Sequence, residues 1–69
     1  MDEREKEILK GMVNCYNVCR KDFYETVHMV ASARGLPDNA VIEILNKAKA
    51  EHSDEYVRLR SKLPESFPM

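Results

Sequence analysis

An all-α fold is predicted for this chain: three helices, or four if the last one breaks, with a corner at Gly35 and a long C-terminal helix. Two observations carry that prediction. Apolar residues recur at steps of three and four along almost the whole sequence, and no stretch alternates in the way a half-buried strand does. The run Gly35-Leu36-Pro37 is the strongest interruption before Pro64, so helices must meet on either side of it.

At 69 residues the chain makes one domain over residues 1–63 with an extended tail at 64–69. A domain of this size buries only about 60% of its unfolded surface, so its core needs a supplement, for which a partner chain is the natural source. With 43% apolar and 33% charged residues the composition is that of a folded domain rather than a disordered segment. The formal net charge of −1 provides no field to draw the molecule to nucleic acid or to anionic lipid. The opening MDEREKEILK lacks the apolar centre of a secretory signal, and no apolar run approaches the roughly 20 residues of a membrane span. The expected location is the cytoplasm, where Cys15 and Cys19 stay as thiols.

The first helix is expected over about 3–20. Asp2 and Glu5 have the spacing of a capping box, and Ile8, Leu9, Met12, Val13, Tyr16 and Cys19 follow on one face. Gly11 within it costs roughly 1 kcal/mol relative to alanine, so either another backbone approaches there or the helix is locally weak. A second pair, Asp22 and Glu25, marks a fresh start, giving a helix over about 23–34 that presents Phe23, Val27, Val30 and Ala31; without that break the first two helices form one rod. Gly35 provides the left-handed conformation a helix end needs, Leu36 folds back toward Ala31 or Val30, Pro37 forbids continuation and Asp38 is placed as an N-cap. From Asn39 to about Lys62 there is neither glycine nor proline. Val41, Leu45, Ala48, His52, Tyr56, Leu59 and Leu63 form one stripe, which favours a single helix of about 36 Å. Ser53 with Asp54 and Glu55 is the alternative, a cap for a separate final helix. Pro64 ends the pattern, and Phe67 and Met69 are apolar residues of the tail able to dock as a short motif.

Residues 27–46, and within them Ala31, Gly35, Leu36, Val41 and Ile44, resemble the generic helix-turn-helix family, in which those five places hold two short helices near right angles. The resemblance implies that Asp38, Asn39, Ile42, Glu43 and Asn46 face the groove of DNA. That set has two carboxylates and no arginine, which phosphate repels. Asn39 and Asn46 reading adenine edges, with Lys47, Lys49, Arg34, Arg20 and Lys21 on the backbone, are the DNA contacts the resemblance permits.

Catalytic chemistry is not foreseen. No serine, cysteine or lysine stands in a motif that provides a nucleophile, a base and a group to orient them, and there is no glycine-rich phosphate loop. A chain this small is not expected to enclose a small-molecule pocket, so neither cofactor nor substrate is expected. Cys15 and Cys19 extend the apolar stripe of the first helix and read as core residues, and with His28 and His52 they do not converge at the spacing of a zinc module. His52 lies in the stripe of the last helix and should be covered there. The sequence thus predicts a small, non-enzymatic regulatory or adaptor protein that binds another protein and itself, as a homodimer, along its last helix. Ile42, His52, Tyr56, Val57 and Leu59 are the expected interface. The alternative is a helix-turn-helix regulator reading DNA with residues 27–47 and dimerising through residues 48–63.

Overall fold

In the computed structural model, which describes residues 2–69, four α-helices follow one another: α1 (Glu3–Cys19), α2 (Phe23–Arg34), α3 (Asp38–Glu51) and α4 (Asp54–Arg60). No strand occurs among the described residues. Each boundary has a local cause. Asp2 Oδ1 accepts the Glu5 amide at 2.8 Å while Glu5 Oε1 accepts the Asp2 amide at 3.2 Å, a reciprocal capping box. At the other end of α1, Arg20 turns left-handed (φ 56°) and its N–H reaches Tyr16 O at 2.8 Å. The Asp22 carboxylate then accepts the Glu25 amide at 2.9 Å, so α1 and α2 are separate helices.

Gly35 ends α2 with φ 66°, and the Gly35 N–H to Ser32 O and Leu36 N–H to Ala31 O bonds form the paired closure of a Schellman end. Asp38 differs from its expected place. Pro37 is the N-cap, without a side-chain bond, and Asp38 is the first residue of α3, where its charge suits the positive end of the helix dipole.

The single long helix over 39–62 is corrected by the structure. α3 stops at Glu51, His52 adopts a left-handed conformation (φ 51°), and Ser53 Oγ accepts the Tyr56 amide at 3.2 Å to start α4. The reason is spatial. An unbroken rod of about 36 Å would overrun a molecule whose longest dimension is 26 Å. Breaking it at His52 lets the stripe bend with the core, and both α3 and α4 pack on α1.

Residues 61–69 are not an extended tail either. They turn back so that Leu63, Phe67 and Met69 join the core, each under 10% exposed. Arg60 holds them. Nη1 donates to Leu63 O and Pro64 O at 3.2 and 3.1 Å, and Nη2 to Glu65 O and Phe67 O at 3.3 and 2.9 Å. The buried Tyr56 hydroxyl donates to Met69 O at 2.7 Å. One apolar cluster therefore runs from Ile8, Leu9, Met12 and Val13 of α1 through Val27 and Val30, Val41 and Leu45, Tyr56 and Leu59, to the folded-back segment. α1 is its axis, in contact with all three other helices, while α2 packs also on α3. Among the described residues no helix is long and apolar enough to cross a membrane.

Candidate protein-interaction site

The α1–α2 turn brings Tyr16, at the end of one helix, beside Phe23 and Tyr24 at the start of the next. The folded-back segment then lays Phe67 against both. The Tyr16 and Phe67 rings meet edge-on with centroids 4.7 Å apart, Phe23 and Phe67 at 5.6 Å, and Phe23 and Tyr24 at 5.3 Å. Edge-to-face pairs of this kind add about 0.5–1.5 kcal/mol beyond burial. Four of the five aromatic residues of the chain, which holds three Tyr and two Phe, so line one cleft of about 510 Å³ with Arg20, Lys21, Asp22, Ser66 and Pro68.

The charge at this cleft is set by how its side chains are engaged. The Arg20 guanidinium lies 5.5 Å from the centre of the Tyr16 ring, a cation–π contact, and neither it nor Lys21 is in an ion pair among the described residues. The carboxylate among the lining residues, Asp22, caps α2 by accepting the Glu25 amide and keeps its charge, so the two cations outnumber it. Tyr24, which lines the cleft, is 73% exposed. A cationic rim, an aromatic floor and an uncovered apolar shoulder thus share one end of the fold.

The interface expected from sequence is placed differently. Tyr56 and Leu59, each 4% exposed, are consumed by the chain's own core, which corrects their assignment as shared positions. Ile42 is half-buried against that core. Val57 is 44% exposed. His52 is also exposed rather than covered, its ring tilted against that of Tyr56 at 6.0 Å between centroids, because the left-handed turn carries it out of the stripe.

Of the residues of the DNA alternative, Asn39, Asn46, Lys49, Arg20 and Lys21 are exposed, while Arg34 and Lys47 are engaged by carboxylates. Arg34 Nη2 is 3.7 Å from Glu7 Oε2. Lys47 Nζ is 3.3 Å from Oε2 of the buried Glu5, an oxygen that lacks a hydrogen bond of good geometry and has this ammonium as its compensation. The hydrogen bond and charge of Glu5 hold the Lys47 pKa above its ordinary value, so the ammonium is charged at neutral pH. His28 is exposed, with Nδ1 3.1 Å from Asp38 Oδ1.

Among the described residues no three His, Cys, Asp or Glu side chains gather so as to hold a metal ion. Sequence reading had no means of seeing the cleft as a unit. Tyr16, Phe23 and Tyr24 bracket a visible helix break, but the fourth ring arrives from the far end of the chain. Compared with protein families, with curated proteins and with solved structures, the chain matches none.

Proposed function

We propose that this is a small, non-enzymatic regulatory or adaptor protein that binds an acidic segment of another protein at the cleft between α1, α2 and the folded-back segment. The juxtaposition of the exposed Tyr24 with the Arg20–Lys21 rim carries the reading. An exposed ring at the edge of a concave aromatic surface is where the apolar anchor of a partner can seat. Two cations without carboxylate partners favour an acidic occupant with an apolar anchor, the anchor entering between Tyr16, Phe23 and Phe67. The absence of a catalytic role is supported by how the polar groups are used: Asp2, Asp22 and Ser53 cap helices, and Arg60 and Tyr56 fasten backbone.

The helix-turn-helix reading rests on the left-handed Gly35 and its Schellman closure between α2 and α3. It is the weaker one, because Arg34 and Lys47 are held by Glu7 and Glu5. Homodimerisation, expected along the last helix, loses its anchors with Tyr56 and Leu59 in the core.

The test is NMR titration with two peptide pools of equal apolar content, one acidic and one basic. Shifts confined to residues 16–24 and 66–68, with the acidic pool alone, are expected. Tyr24→Ala should weaken binding by about tenfold or more, and Arg20→Glu should abolish it. Equal response to both pools, or none, removes the proposal. A mixed-sequence duplex that instead binds with steep salt dependence, and does so less well with Lys49→Glu, would favour the DNA reading.

A further inference from the structure

A second concave surface lies between α1 and α4, and no residue of it lines the aromatic cleft. Its volume is about 430 Å³. Val13 of α1 and Leu59 of α4, 3% and 4% exposed, lie at its base, where their place in the core fixes the spacing of the two walls. Lys10, Asn14 and Asn17 form the α1 wall; steps of four and three put them on one helix face over about 10 Å. Arg58 of α4 and Lys62 of the turn after it form the other, and the Lys62 N–H is tied to Leu59 O at 3.1 Å. All five of these polar residues are exposed. The charge of the groove is one-sided. No carboxylate is among its lining residues, in a chain whose formal net charge is −1. Other cations are spent: Arg34 and Lys47 on Glu7 and Glu5, Arg60 on backbone carbonyls. Lys10 and Lys62, by contrast, are in no ion pair among the described residues. Arg58 Nη2 donates to Glu55 Oε1 at 2.8 Å, which leaves most of its N–H groups open. Three cations less the one Glu55 carboxylate leave an excess of two positive charges, and a cleft lined by one sign of charge focuses its field.

We propose that this groove binds a diphosphate, two phosphoryl groups joined through one oxygen, free or as the end group of an ester. Guanidinium and ammonium groups suit phosphoryl oxygens, and the carboxamides of Asn14 and Asn17 add N–H donors without adding charge. Donors spread over about 10 Å of α1 exceed what one tetrahedral anion reaches at hydrogen-bond distance, so a second linked phosphoryl group has partners too. A segment with an apolar anchor is not suited, because Val13 and Leu59 are sealed into the core. No aromatic ring lines the groove, so a base carried by the diphosphate has nothing to stack on.

The experiment is NMR titration of the full chain with inorganic pyrophosphate at fixed pH and ionic strength, without divalent cations, beside parallel titrations with ADP, orthophosphate and citrate. Saturable shifts at residues 10–17 and 58–62, side-chain amides of Asn14 and Asn17 included, are expected with pyrophosphate, at an affinity at least about tenfold above that for orthophosphate or citrate. ADP binding as tightly as pyrophosphate identifies an ester as an accepted form of the ligand, and ADP binding about tenfold or more weakly identifies the free diphosphate; either supports the site. Lys62→Glu, at an exposed position beyond α4, should lower the affinity at least about tenfold. Lys49→Glu, the same charge change on α3 outside the groove, should leave it nearly unchanged, with circular dichroism confirming that both variants are folded. Citrate matching pyrophosphate, equal losses in the two variants, shifts centred on residues 20–24 instead, or no saturable shift would each overturn the site.

Discussion

Gly11 shows how a single residue can be neutral in packing and still costly. A methyl group built there meets only Val30 Cγ1 and Cγ2, at 3.7 and 3.9 Å, which is ordinary contact. No backbone approaches closely enough to require glycine. Of the two explanations the sequence leaves open, local weakness of α1 is therefore the operative one. Gly11→Ala should raise stability by about 0.5–1 kcal/mol, read as a melting temperature higher by roughly 4 °C; no gain, or a loss, would show that Val30 cannot accept the methyl. Thr26 makes the opposite bargain. Fully buried, it is tolerated because its hydroxyl donates to Asp22 O at 2.7 Å, so a polar group in the core has its partner within the same helical turn.

At the scale of elements, the starts of α1, α2 and α4 were legible because each depends on residues within one turn, whereas Asp38 was read one place out as the cap of α3. Asp2 with Glu5, Asp22 with Glu25, and Ser53 as an alternative cap can all be read directly. The stop at His52 could not be read the same way. Neither glycine nor proline marks the position, and the apolar stripe runs on through it, so the left-handed turn at His52 is not announced by its own sequence. The same gap explains why Tyr56 and Leu59 were expected on a shared surface: their face is visible in the sequence, but the bend that turns it inward is not. His52→Gly should relieve part of the roughly 1 kcal/mol cost of left-handed backbone, raising the denaturation midpoint slightly. Ser53→Ala should lower stability by about 1 kcal/mol through loss of the cap. If neither substitution moves the midpoint, α4 is not an independently capped helix.

For the molecule as a whole, the decisive contacts join parts distant in sequence, and these were the least legible. Nothing local announces that Arg60 collects four carbonyls, or that Phe67 travels to Tyr16 and Phe23 to build the cleft floor. Periodicity reports which face of a helix is apolar, not which turn of chain will cover it. Arg60→Ala should therefore have two effects at once: a loss of about 2 kcal/mol, since several charge-assisted bonds vanish at a partly exposed site, and dissolution of the cleft, seen as loss of ring-shifted signals from Tyr16 and Phe23. A stability loss with the ring signals intact would mean that Phe67 stays seated by packing alone.

Because every other helix leans on α1, its central amides at Ile8 to Val13 can exchange with deuterium only when the entire chain opens, whereas α4 and residues 61–69 can lift off as a smaller unit. One wall of the cleft belongs to that smaller unit. Anything seated among its rings consequently slows amide exchange in α4, several residues away from any contact, and a protease that nicks the lifted segment would be held off by the same occupant.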